Sequence, residues 1–95
     1  MDCIYLQYLK TDKEFFYTAI ENCVINMHIC NSHTANLAVT IALNNGSTGE
    51  SISIYNKTMT AGETYDLTDI GLKQGMQIGG LAGTSSVVSI KLDLQ

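Results

Sequence analysis

The residues of this sequence best suited to chemistry are its histidines and cysteines, four of which fall within one short segment. Cys23, His28, Cys30 and His33 all carry side chains that bind zinc. A structural zinc site needs four such ligands at recognisable spacings, and this segment has neither a Cys-x-x-Cys nor a His-x-x-x-His pair. We therefore interpret His28 and Cys30 as residues of a half-buried strand, and we expect no metal and no other cofactor.

Other arrangements that support catalysis or ion binding are also incomplete. Asp66 and Asp69 follow Glu63, but the Asp-x-Asp-x-Asp-Gly pattern of a calcium loop is missing. On one strand, His28 and Cys30 would lie about 7 Å apart, which is beyond hydrogen-bond distance. The glycines near the C-terminus are not followed by the Lys-Ser or Lys-Thr of a phosphate-binding loop. We therefore predict that the protein is not an enzyme.

Tyrosines are the third candidate group, because aromatic rings line the sugar-binding faces of carbohydrate modules. Tyrosine is also common at core edges and in subunit interfaces, since it combines an apolar ring with a polar tip. The chain has no Trp, so we favour packing or interface roles and keep a glycan-binding host-recognition module as an alternative. The five are Tyr5, Tyr8, Tyr17, Tyr55 and Tyr65.

The elements that position these residues show a period of two, which is typical of half-buried strands. The alternation of apolar and polar residues is clearest over residues 23–30, 37–44 and 88–94. Weaker signals add five strands, at residues 3–9, 14–18, 51–55, 65–67 and 76–78. We predict an all-β fold, an antiparallel β-sandwich of the jelly-roll or immunoglobulin-like type with about eight short strands.

Local details refine this prediction. Asn45 and Gly46 both accept positive φ, so the strands on either side should form a hairpin. In the second of these strands the alternation places Ile52 and Ile54 on one face and Tyr55 on the other. Proline is absent and charged residues are sparse. The residues that commonly prevent an edge strand from pairing with another chain are therefore scarce.

Length and composition limit the remaining functions. A chain of 95 residues is one domain, and its net charge of −4, with five Lys and no Arg, argues against nucleic-acid binding. No apolar run approaches the roughly 20 residues of a membrane span, and the N-terminus lacks a signal peptide. Cys3, Cys23 and Cys30 therefore fit a reducing cytoplasm and should not form disulfides, with Cys3 the most reactive.

Seven short segments follow one another in a distinctive order between residues 15 and 92. They are residues 16–19, 24–31, 38–43, 54–57, 61–67, 72–78 and 87–90. This ordered set resembles a widespread family of small β-sandwich proteins of tailed-phage particles, which serve as capsid decoration, head-fibre or tail-associated modules. Two departures concern turns: Ile20 and Thr60 replace the family's usual prolines, and Met76 replaces an acidic residue.

The resemblance implies a structural virion protein, made in the bacterial host cytoplasm, that decorates or cements the capsid or belongs to a head fibre. It implies self-association and docking on the major capsid protein or other virion proteins, with a tail, collar or baseplate component as the alternative. A homotrimer suits the three-fold positions of capsid lattices.

Within this scheme the chain divides into two parts. We expect residues 1–14 to form an N-terminal strand or arm for attachment or strand exchange, and residues 15–95 to form the sandwich. The candidate interface residues are Ile4, Leu6, Tyr8, Tyr55 and Tyr65.

Overall fold

The computed structural model describes the backbone of residues 2–46 and 51–95, and the side chains of residues 6–46 and 51–95. Eight strands account for most of it: β1 (Asp2–Tyr8), β2 (Glu14–Thr18), β3 (Cys23–Asn31), β4 (Leu37–Asn44), β5 (Ser51–Met59), β6 (Thr64–Leu72), β7 (Gln77–Ala82) and β8 (Val88–Leu94). The described residues include no helix that is long and apolar enough to cross a membrane.

The strands form two antiparallel four-stranded sheets packed as a sandwich, which confirms the predicted fold class. The first sheet has the order β1-β8-β3-β6 and the second the order β2-β7-β4-β5. Consecutive strands lie in opposite sheets, except for the hairpin of β4 and β5. This is the strand order of a jelly roll, whereas an immunoglobulin sandwich pairs its first two strands within one sheet.

The core lies between the sheets and is built mainly from strands in the middle of each. The alternation predicted for β3 and β8 is confirmed, because every second residue of both strands is almost fully buried. These residues are Ile25, Met27, Ile29, Val88, Ile90 and Leu92. Each fully buried side chain of this size contributes about 1.5–3 kcal/mol through the hydrophobic effect, so these two strands anchor the first sheet.

The predicted hairpin is also confirmed, because β4 and β5 pair antiparallel along their whole length. Gly46 has a φ of 82°, as its turn position requires. Asn44 pairs with Ser51, so the connection comprises residues 45–50. Its residues 47–50 lie outside the described part of the chain.

In β5 the structure corrects the predicted facing of side chains. Ile41 of β4 pairs with Tyr55 and Ala42 pairs with Ser53, so Ile54 is an extra residue in the ladder. Such a bulge reverses the alternation along the strand. Ile52 pairs with Leu43, which lies on the same face of β4 as Ile41, so Ile52 and Tyr55 share a face and do not lie on opposite faces as predicted. Tyr55 is buried, whereas Ile52, near the end of the strand, is 70% exposed.

Two glycines of β7 allow its neighbours to approach closely. A Cβ atom at Gly79 would collide with the backbone of Glu14 in β2, and one at Gly80 with the carbonyl of Thr40 in β4. This close approach of the backbones explains the two consecutive glycines in β7.

Candidate interaction surface

The edges of the sheets are the part of this fold that can pair with another chain. β1 and β6 are the outermost strands of the first sheet, and β2 and β5 those of the second. An edge strand presents backbone N–H and C=O groups that its own sheet does not use. The side chains along these edges therefore decide whether a partner strand can bind.

The edge formed by β1 carries an exposed apolar ridge. Leu6 lies opposite Lys91 and Tyr8 opposite Ser89, and both face away from the other sheet, with 70% and 51% of their surface exposed. A groove of about 240 Å³ is lined by Leu6, Tyr8, Ser89 and the intervening Gln7. We call Leu6 and Tyr8 the β1 ridge, and both are residues predicted to lie in an interface.

The third predicted residue of this strand, Ile4, lies where the pairing of β1 with β8 is irregular. The register shifts between Cys3 and Tyr5, which makes Ile4 the extra residue of a bulge. The side chains of Ile4, and of the candidate reactive residue Cys3, lie outside the described residues.

The remaining two predicted interface residues lie together on the opposite side of the sandwich. Tyr55 of β5 is only 7% exposed and Tyr65 of β6 is 41% exposed. Their ring centroids are 4.9 Å apart with the planes inclined by 33°, and the Lys57 amine lies 5.7 Å from the centre of the Tyr65 ring. We call these three residues the tyrosine seal, because they close the gap between β5 and β6.

A cluster of polar groups surrounds the seal. The Tyr55 hydroxyl is buried and has no hydrogen-bond partner among the described residues. Burial raises the pKa of Tyr55, and the Glu63 carboxylate adds to the increase. Glu63 accepts hydrogen bonds from the backbone N–H of Thr60 at 2.8 Å and from its hydroxyl at 3.1 Å. These bonds, together with Lys57, hold the pKa of Glu63 below its usual value.

On the outer face of the first sheet, His28 is partnered by a carboxylate. Its Nδ1 lies 2.5 Å from Oδ1 of Asp66, and 46% and 65% of the two side chains are exposed. Cys30 lies on the same face, as predicted. Among the described residues, no three His, Cys, Asp or Glu side chains are close enough to hold a metal ion. An exposed pair of this kind contributes about 0–1 kcal/mol to stability.

The same outer face contains a depression that the sequence analysis missed. Val24, 39% exposed, lies opposite Gly71 of the edge strand β6, which has no side chain to cover it. The resulting Gly71 depression has a volume of about 450 Å³, and its lining consists of Asn22, Cys23, Val24, Gly71, Leu72 and Lys73. The signal in the sequence was a glycine flanked by Ile70 and Leu72 within a strand.

The tyrosines do not share one surface. Tyr8 lies on the outer face of β1, whereas Tyr55 and Tyr65 lie at the other side of the sandwich. Tyr17 packs against the core, and the side chain of Tyr5 lies outside the described residues. A sugar-binding face built from several tyrosines therefore has little support.

No family model matches this sequence, and no curated protein or solved structure is significantly similar to it. The resemblance to phage virion proteins therefore remains a prediction. Because jelly rolls host many unrelated functions, the fold alone does not identify the function of this protein.

Proposed function

We propose that this protein is a non-enzymatic structural module of a tailed-phage particle, a capsid decoration or head-fibre subunit that associates with copies of itself and with neighbouring virion proteins. The observation that carries the proposal is the β1 ridge. Leu6 and Tyr8 stand next to each other on an edge strand and are 70% and 51% exposed. Covering such a patch with a partner removes apolar surface from water and occupies the open edge.

The composition of the edge supports the same function. Of the seven residues of β1, only Asp2 is charged, and the strand contains neither Pro nor Lys. Proteins that remain monomeric commonly protect an edge strand with such residues. The low share of charged residues in the whole chain, 15%, likewise suits a surface that partners cover.

Within the predicted N-terminal arm, residues 2–8 are the part suited to docking. Leu9, the next residue, is 2% exposed. Its N–H donates to the carbonyl of Val88 at 2.8 Å, and its carbonyl accepts from Ser86 at 3.1 Å. The chain is therefore fixed from Leu9 onward, and we propose that attachment or strand exchange uses β1 alone.

The test is the mass of the purified native protein, measured by native mass spectrometry and light scattering over a range of concentrations. We expect a mass three times the 10.3 kDa of one chain. A protein that stays monomeric at high concentration would contradict the proposal.

A matched pair of variants locates the contact. Leu6 and Ile52 are both 70% exposed, but Ile52 lies on the second sheet. We expect Leu6→Ser to abolish the oligomer and Ile52→Ser to leave it intact. The same loss in both variants would indicate a general effect of exposed apolar area and not a contact at β1.

The position in the particle is tested by counting copies. A number that matches the lattice positions of the head supports capsid decoration. A number that matches the symmetry of the tail would favour the alternative, a tail, collar or baseplate component.

A further inference from the structure

We infer that the β1 ridge docks on the β6 edge of a second copy of this chain, with Leu6 seated opposite Gly71, so that the first sheets of neighbouring copies join into a closed ring. The inference rests on the proposed function and identifies the surface that self-association uses.

The first support is the direction of the strands. β1, β8, β3 and β6 pair antiparallel in this order, so the two edges of the first sheet run in opposite directions. When a second copy stands beside the first in the same orientation, its β1 meets β6 antiparallel, which is the more stable ladder. Contacts of this head-to-tail type form rings when the rotation closes.

The second support is shape. Leu6 and Gly71 both belong to the outer face of the first sheet, since Gly71 pairs with the exposed Val24. Residues directly opposite each other in an antiparallel pair lie on the same face, with Cβ positions about 4.5–5.5 Å apart. The Leu6 side chain of the second copy would therefore enter the depression of about 450 Å³ beside Val24 and Leu72.

The third support is charge. Within one chain, Val24 of β3 lies opposite Gly71 of β6. Further along the two strands, after a shift of register, His28 lies opposite Asp66. With Leu6 in the row of Gly71, the residues that follow β1 run toward the row of Asp66, and Lys10 is the first cation among them. Within one chain Lys10 pairs with Glu14 at 3.2 Å and Asp66 pairs with His28, but 60% of the Lys10 side chain and 65% of the Asp66 side chain are exposed. The register that places Leu6 in the depression therefore also brings the positive charge of Lys10 toward the negative charge of Asp66.

The competing arrangement is a two-fold dimer in which β1 pairs with β1 of the other copy. It would cover the ridge but leave the Gly71 depression empty. Disulfide trapping distinguishes the two arrangements, because opposite residues in a ladder have Cα atoms about 4.5–5.5 Å apart, within the range of a disulfide.

The experiment co-expresses two differently tagged chains of full length, one with Leu6→Cys and one with Gly71→Cys. Both carry Cys3→Ser, Cys23→Ala and Cys30→Ser to remove the native thiols. Gly71 is a suitable site, because no atom lies within 4 Å of an added Cβ and its φ is outside the positive range.

We expect the disulfide between positions 6 and 71 to exceed the one between two copies of position 6 by about tenfold or more, given how narrow the permitted geometry is. A predominant disulfide between two copies of position 6 would overturn the inference in favour of the two-fold dimer. Absence of the mixed disulfide in a protein that still forms oligomers would overturn the inference and leave the proposed function standing. A wild-type protein that stays monomeric would contradict both.

A second pair of variants tests the docking of Leu6 in the Gly71 depression without introducing cysteines. Gly71→Gln should weaken self-association about tenfold or more by filling the depression, a loss typical of removing one well-packed contact. Gly83→Gln is the control, because an added Cβ there would make an ordinary contact of 3.5 Å with Leu37, away from both edges of the first sheet. Thermal unfolding verifies that both variants fold, and unchanged association of Gly71→Gln would contradict the inference.

Discussion

The two outermost strands of the first sheet, β1 and β6, each carry a tyrosine, but the two rings have different surroundings. Tyr65 of β6 pairs with the core residue Ile29 and packs against Tyr55 at 4.9 Å. Tyr8 of β1 lies opposite Ser89, faces outward and is 51% exposed. The protein thus closes one side of its sandwich with its own aromatic rings and leaves the other side apolar and open.

The difference shows that residue type alone does not decide how exposed a tyrosine is. Tyr55 and Tyr65 were predicted interface residues; the structure buries Tyr55 in the core of its own chain, and Tyr65, 41% exposed, packs against it. Leu6 and Tyr8 belong to the same prediction and are free to contact another molecule. What differs is the direction of the side chain: Tyr55 and Tyr65 point toward the other sheet, whereas Leu6 and Tyr8 point away from it.

The largest expected effect tests this contrast directly. Tyr55→Ala should lower the free energy of unfolding by about 3–5 kcal/mol, because it removes a large buried ring. Tyr8→Ala, measured in the presence of Leu6→Ser to keep the chain monomeric, should change it by less than about 0.5 kcal/mol. Urea denaturation measures both values, and similar losses would show that the two sides do not differ.

A second prediction concerns Asn31, a buried polar residue. Asn31 is fully buried, and its Nδ2 lies 3.2, 3.2 and 3.0 Å from the carbonyl oxygens of Ala35, Met59 and Thr60. Its Oδ1 accepts from the N–H of His33 at 3.0 Å. Asn31→Ala should cost about 2–3 kcal/mol of unfolding free energy, because it leaves buried backbone groups without partners.

The control for this variant is Asn56→Ala. Asn56 is exposed, and its Oδ1 accepts one hydrogen bond, from Thr40 at 3.2 Å. We expect a change within about 0.5 kcal/mol. An equal loss in the two variants would argue against a special role of Asn31.

A smaller effect of opposite sign is expected at the Tyr55 hydroxyl. Tyr55→Phe removes a buried polar group that has no partner among the described residues, so the variant should be more stable by about 1 kcal/mol. Tyr65→Phe, at a ring that is 41% exposed, should leave stability unchanged. A clear loss in Tyr55→Phe would mean that the hydroxyl is hydrogen bonded in solution.

The smallest expected effect is a dependence on pH near the seal. The pKa of Glu63 is lowered from its ordinary value of 4.5, mainly by hydrogen bonds from Thr60. A lowered pKa in the folded state stabilises the fold above the unfolded pKa, and this contribution disappears as pH falls through the folded pKa. The stability difference between wild type and Glu63→Gln should therefore shrink below about pH 4.5, as urea midpoints at several pH values would show. A difference that is constant with pH would exclude this titration.

The sequence by itself determined the class of the fold and most of the strands. In β3 and β8 the alternation of apolar and polar residues identified the buried face correctly, because side chains of any strand point to opposite faces with a period of two. Asn45 and Gly46 likewise located the β4–β5 hairpin, since turn chemistry is local in the chain.

Only the tertiary structure decided which strands pair and which way the irregular ones face. β1 pairs with β8, the last strand of the chain, and no local pattern encodes a partner so distant in sequence. The bulge at Ile54 puts Ile52 on the same face as Tyr55, and the Gly71 depression exists because β6 pairs its glycine with Val24. Both depend on the register between two strands, and a shift of one residue exchanges the faces of a whole strand.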